Sequence, residues 1–137
     1  KLETAKKLVP APMVRRADQP TRYGAIYYGS TGLAMDEAVA LLDEQGMQID
    51  TLRVRGFPFA DAVIDFIKEH GTVFVVEQNE SAQLRMLLIN EGEVDPKRLI
   101  RVLHYDGTPI TARFIASAIT KKLAGKELSP LRVQVAT

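Results

Sequence analysis

The sequence predicts an α/β protein of three layers, with a mostly parallel sheet of about five strands covered by helices on both faces. Two observations carry that prediction. Four apolar runs of strand length are each followed by a segment whose apolar residues recur three and four apart. The third run, Val73-Phe74-Val75-Val76, is apolar without interruption, as a strand covered on both faces must be. Parallel neighbours need crossover connections, and the intervening helices supply them.

Residues 1–22 hold a short amphipathic piece, ETAKKL, then Pro10, Pro12 and Pro20 around Arg15, Arg16 and Asp18. They read as a linker with a short edge strand over Pro12 to Arg16, because proline donates no ladder hydrogen bond. The α/β domain then spans 23–125. Its first strand, YGAIYYG, ends at Gly29-Ser30-Thr31-Gly32, and Ala34, Ala38, Leu41 and Leu42 share one face of the next helix. Ser30 or Thr31 is the expected N-cap and Gly46 the terminator.

IDTLRVRG forms the second strand and leads through Phe57-Pro58-Phe59 to a helix with Val63, Phe66 and Ile67 inward, closed by Gly71. The third strand is expected at the centre of the sheet, and Leu84, Leu87 and Leu88 form the inner stripe of its helix. Asp95-Pro96 caps a turn before the fourth strand, Leu99 to Leu103. The last helix uses Phe114, Ile115, Ala118, Ile119 and Leu123, and Gly125 is its expected end. Residues 126–137 remain as a C-terminal extension in which Leu131 to Val135 suits a short strand or an arm reaching a partner.

Composition narrows the function. Eighteen Lys and Arg against seventeen Asp and Glu leave a net charge of +1, too balanced for a phosphate-binding stripe, so nucleic acid is not an expected partner. No apolar run approaches the roughly 20 residues of a membrane helix, so a membrane is not one either. The absence of cysteine excludes disulfides, a thiolate nucleophile and a cluster held by this chain's own thiolates, and suits a cytoplasmic setting. The chain begins with Lys1, and the expectation is a piece of a longer protein.

In an open parallel sheet ligands gather beyond the carboxyl ends of the strands, which directs attention to residues 29–32, 55–59, 77–81 and 104–109. The Gly29 to Gly32 loop, with Ser30 and Thr31, is either a plain turn and cap or a contact for an anion at a helix N-terminus. It matches neither a dinucleotide fingerprint nor a phosphate-binding loop with its lysine. Glu77-Gln78-Asn79-Glu80 is a polar knot on the end of an apolar strand. It serves either capping, bracing and interface contacts or chemistry with Glu77 as a general base beside His104. His104 stands at a strand end near Tyr105 and Asp106, while His70, at a helix end, suits hydrogen bonds to the last carbonyls. Two histidines 34 apart make no metal pattern. Arg53 and Arg55 flank Val54, and alternation puts both on one face. Phe57 and Phe59 either fold back into the core or anchor another subunit.

Several of these segments together carry a resemblance. They are Tyr28-Gly29-Ser30 with Asp36-Glu37-Ala38, Arg55 with Phe57-Pro58-Phe59, Val75-Val76-Glu77-Gln78-Asn79 with Ala82-Gln83-Leu84, and Tyr105-Asp106-Gly107-Thr108-Pro109-Ile110-Thr111. In this combination the chain resembles the C-terminal domain of the alpha subunit of 2-oxoacid:ferredoxin oxidoreductases, nearest the 2-oxoglutarate branch, over roughly Tyr23 to Ile119. The resemblance implies a transketolase C-terminal-like unit with one antiparallel edge strand. It implies a whole enzyme that decarboxylates a 2-oxoacid on thiamine diphosphate, passes electrons through iron–sulfur clusters to ferredoxin and releases an acyl-coenzyme A. The implied partners are the other alpha-subunit domains, the beta subunit, ferredoxin and coenzyme A.

No catalytic, cofactor-binding or metal-binding residue is carried over to this chain, which lacks the two domains that hold thiamine diphosphate in the family. Its expected role is structural, with Ser30, Thr31, Glu77, Gln78, Asn79 and His104 as interface or anion contacts. A stand-alone anion or small-molecule binding domain is the alternative. An independent enzyme using Glu77 and His104 is a further rival.

Overall fold

The computed structural model describes residues 7–136, with side chains through Gly125 except that of Ser30. Residues 3–6 of the ETAKKL piece therefore lie outside the described residues. Five strands form one sheet: β1 (Met13–Arg15), β2 (Tyr23–Tyr28), β3 (Asp50–Val54), β4 (Thr72–Glu77) and β5 (Leu99–Leu103). Four helices follow the parallel strands: α1 (Gly32–Glu44), α2 (Asp61–Glu69), α3 (Gln83–Gly92) and α4 (Ala112–Ala136). The spatial order is β1-β3-β2-β4-β5, with β1 antiparallel to β3 and every other pair parallel. The expected antiparallel edge strand is thus present, paired through Val14 opposite Leu52.

Alternation within the strands divides the core into two layers. Ala25, Tyr27, Phe74, Val76 and Val102 meet Met35, Ala38 and Leu42 of α1 and Ile115 and Ile119 of α4. On the opposite face Ile26, Leu52, Val73, Val75 and Leu99 meet Val63, Phe66 and Ile67 of α2 and Leu84 and Leu88 of α3. Burial of these apolar faces supplies the main driving force for folding.

Three expectations are corrected. The middle strand is β2, flanked by β3 and β4, although β4 is buried along its whole length. An uninterrupted apolar run reports cover on both faces, which any interior strand has, and not position in the sheet. The inner stripe of α3 omits Leu87, which is 42% exposed while Leu84 and Leu88 are buried. The last helix passes Gly125 and continues to Ala136 in place of the expected stop and tail strand. A lone glycine costs about 1 kcal/mol in a helix interior, which the surrounding lysines, alanine and leucine tolerate.

Close approach explains one glycine. A Cβ on Gly24 would lie 2.8 Å from Phe66 Cε1 and 3.2 Å from His70 Cγ. Gly24→Ala is expected to lower stability by about 1–3 kcal/mol, the usual cost of overpacking, as read by urea denaturation.

Candidate functional site

The chain winds from β2 outward to β3, then crosses back to β4 and outward to β5, so the sheet reverses direction between β2 and β4. The carboxyl ends of those two strands border the crevice where this architecture places ligands. The polar knot lies there, and its side chains are engaged with one another.

Glu77, the last residue of β4, is 1% exposed. Its carboxylate accepts from the N–H of Leu84 at 2.7 Å and of Arg85 at 3.1 Å, and from Asn79 Nδ2 at 3.0 Å. Asn79 Oδ1 accepts from the N–H of Gln83 at 3.3 Å and of Ser81 at 3.1 Å. The three N–H groups that open α3, which have no partner within the helix, are thereby satisfied by two side chains from the preceding strand end. The negative charge also sits at the positive end of the helix dipole. To bring those N–H groups onto Glu77 the chain turns at Ala82, a non-glycine residue held at φ 50°, ψ 49°. That left-handed conformation costs on the order of 1 kcal/mol, offset here by the bonds it permits.

Two bonds span the crevice. Gln78 Nε2 donates to the buried Thr31 Oγ1 at 3.1 Å, and Asn79 Nδ2 lies 3.4 Å from the Tyr28 hydroxyl. Thr31 takes the expected N-cap position of α1, but its side chain makes no cap bond. A 3₁₀ turn over Gly29–Thr31 runs straight into the helix, and the threonine hydroxyl is committed to Gln78. The Ser30 side chain lies outside the described residues.

His104 stays apart from Glu77 chemically. The two share a backbone bond, His104 N–H to Glu77 C=O at 2.9 Å, which extends the β4–β5 ladder. The imidazole packs edge-on against Phe114, with ring centres 4.8 Å apart, and its Nε2 lies 3.4 Å from Asp106 Oδ1. Hydrogen bonds from the Thr108 hydroxyl and N–H hold the Asp106 carboxyl below its ordinary range. Among the described residues no hydrogen bond joins the Glu77 carboxylate to the imidazole, so the base–histidine pair needed for independent catalysis is not assembled.

The arginines also separate. Arg53, in β3, donates to Gly29 C=O at 3.0 Å and lies beside Tyr27, Gly32 and Asp36 on the α1 side. Arg55 falls beyond the end of β3, where alternation no longer holds, and lines a cavity of about 450 Å³ with Tyr28, Val54, Phe57, Phe59 and Leu87. Of the two phenylalanines, Phe59 is buried and Phe57 is 53% exposed, the rings meeting edge to face at 5.3 Å.

A buried ion pair was not foreseen. His70 Nε2 lies 2.8 Å from Asp50 Oδ2, and Nδ1 lies 2.6 Å from Phe66 C=O, the helix-end bond expected of it. Both ring nitrogens are thus engaged, one at the helix-end carbonyl and one at the Asp50 carboxylate. Asp50 also accepts from Ala17 N–H at 2.7 Å and Arg16 Nη1 at 3.3 Å. Burial pushes its carboxyl up, but the bonds from Ala17, His70 and Arg16 and the charge on His70 outweigh that and hold it below the usual range. A signal was available in the topology: a strand's first residue and the end of its following helix meet at the same end of a strand–helix unit. That end is opposite the ligand crevice, so the pair is structural.

Thiamine diphosphate and iron–sulfur clusters do not fit the residues present. The chain has no cysteine to ligate iron. Among the described residues no three His, Asp or Glu side chains converge on a metal position, and the buried carboxylate nearest the crevice is closed by α3. No helix among them is long and apolar enough to cross a membrane.

No protein-family model and no curated protein matches the chain. Solved structures do match. A 2-oxoglutarate:ferredoxin oxidoreductase from Magnetococcus marinus, determined with 2-oxoglutarate, coenzyme A and succinyl-CoA bound, aligns with a TM-score of 0.75 at 21% identity. The alignment covers 87% of this chain and 21% of that one. A split-gene transketolase, an inactive β4 tetramer, aligns with a TM-score of 0.65 at 16% identity, over 82% of this chain and 42% of that one. The present chain therefore spans about a fifth of the first and two fifths of the second, and shares with both a transketolase-like α/β fold.

Proposed function

We propose that this chain is the C-terminal structural and assembly domain of the alpha subunit of a 2-oxoacid:ferredoxin oxidoreductase of the 2-oxoglutarate type. It comprises a linker with its edge strand over 1–22, the α/β unit over 23–125 and an extension over 126–137. The observation that carries the reading is the alignment of 87% of this mixed-sheet chain with part of a much longer oxidoreductase chain. The parent enzyme, on this reading, is cytoplasmic and oxidatively decarboxylates its 2-oxoacid to an acyl-coenzyme A. Thiamine diphosphate and iron–sulfur clusters, held by other domains and the beta subunit, supply that chemistry, with ferredoxin as acceptor.

The contribution of the present residues is to position, since the polar groups at the strand ends are consumed in fastening α3 to β4 and β4 to the β2 turn. The stand-alone anion-binding reading has less support, since the Thr31 hydroxyl it would use is bonded to Gln78. The test is to affinity-purify the parent protein from its own host. A second subunit carrying thiamine diphosphate, bound iron and coenzyme A-dependent ferredoxin reduction with 2-oxoglutarate are expected. A protein that purifies alone, without iron or such activity, would falsify the proposal. In the intact enzyme His104→Ala is expected to change kcat less than about tenfold, against the larger losses typical of a general base.

A further inference from the structure

The cavity beyond the ends of β2 and β3 has an unusual rim. Phe57, Leu87 and Tyr28 are exposed large apolar or aromatic residues that converge on a single opening, with Phe59 and Leu84 buried beneath them. Arg55 stands in the same wall. Its guanidinium makes one long bond, 3.4 Å to Ala11 C=O, and among the described residues no carboxylate lies within ion-pair distance of it. Two arginines at the β1 edge differ: Arg15 pairs with Asp36, and Arg16 with Asp50 and Glu69. The rim is also held firmly, since Leu84 and Leu87 ride on the first turns of α3, which Glu77 and Asn79 fasten to the sheet.

We infer that this rim is the seam on which another domain of the same longer chain docks, presenting an apolar side chain to the cavity and a carboxylate to Arg55. The inference rests on the subunit-domain reading above and adds to it the face and the chemistry of contact. Aromatic residues and arginine are the types enriched where binding energy concentrates at protein interfaces, and here Phe57, Tyr28 and Arg55 are all exposed on one rim. Charge complementarity adds to this: an arginine with no carboxylate partner among the described residues, set beside an apolar wall, favours a partner that brings the acid. The share of chain outside the aligned region is large enough to supply such a partner, because the alignment covers only 21% of the matching oxidoreductase chain.

Hydrogen exchange by mass spectrometry tests the seam in the intact parent enzyme and in this 137-residue chain. Peptides over 54–59 and 83–88 are expected to exchange at least about tenfold more slowly in the parent, as groups buried at an interface do. The β1 peptide over 13–15, on the far edge, serves as the reference. Arg55→Glu in the parent is expected to return the rim peptides toward their rates in the isolated chain, and Arg55→Lys to do so only in part. Equal exchange in the two contexts, with the parent enzyme assembled and active, overturns the seam and leaves the subunit reading standing. Rim protection in the isolated chain that rises with protein concentration assigns the face to a second copy and also overturns it. Failure to recover any larger enzyme removes the subunit reading and the seam with it.

Discussion

Asp50→Ala is expected to lower the unfolding free energy by about 3–5 kcal/mol, the loss that follows when one member of a buried ion pair is removed and the other is left behind. The His70 ring is 1% exposed, and its Nε2 would be left without its carboxylate partner in a buried setting. Ala17 N–H would lose its acceptor and Arg16 one of its two carboxylates. Those residues follow β1 directly, so the damage should spread to the edge strand, and exchange at 13–17 should accelerate before that of β4. Asp50→Asn, which keeps one acceptor oxygen, should cost less than alanine. Urea denaturation monitored by far-UV circular dichroism measures both, and an Asp50→Ala loss below about 1 kcal/mol would show that the pair does not hold this end of the sheet.

The same pair sets an acid limit. Asp50 has a folded-state pKa depressed below its unfolded value, so it binds fewer protons when folded. Its contribution is therefore present above the unfolded carboxylate range, near 4, and is lost as pH falls through the lower folded value. Stability profiles of the wild type and Asp50→Asn should converge at the acid end of that window, because protonated Asp50 and asparagine are both neutral.

Glu77→Ala is expected to cost a similar amount, about 3–5 kcal/mol, through a different physical route. It orphans the N–H groups of Leu84 and Arg85 and one donor of Asn79 in a buried setting, each at about 1–3 kcal/mol, with some of that loss recovered as water enters. It also leaves Ala82 in a left-handed conformation without the bonds that offset it. Glu77→Gln retains one acceptor oxygen and should lose about half as much, by the same accounting of hydrogen bonds. If the chain belongs to the enzyme proposed above, both variants should lower that enzyme's activity in proportion to the folded fraction. If Glu77→Gln instead lowered kcat by about a thousandfold at unchanged stability, Glu77 would be a reacting group and the bracing role would fall.

The two buried carboxylates show why the candidate site was only partly legible. Glu77 stood out in the sequence because four polar residues interrupt an apolar run, and the capping and bracing alternative already named the kind of contact it makes. The donors it serves, seven and eight residues onward, depend on the turn at Ala82 and on the tilt of α3, and no local pattern specifies either. Asp50 gave no such signal. It opens a strand as an ordinary polar residue, and its significance arises only when β3 and α2 close to bring His70 within 2.8 Å. Arg53 and Arg55 mark a related limit: alternation is valid within a strand, and β3 ends between them.

By itself the sequence determined the layers, the number of parallel strands and most of the residues that fill the two cores, because apolar periodicity is imposed locally by backbone geometry. It also excluded a cluster ligated by this chain, since no cysteine is present. Only the tertiary structure decided which strand lies at the centre, where the last helix stops, and that the polar residues at the strand ends satisfy one another. Strand order and side-chain pairing are set by contacts between segments far apart in the chain, whose energies depend on distances that no single segment encodes.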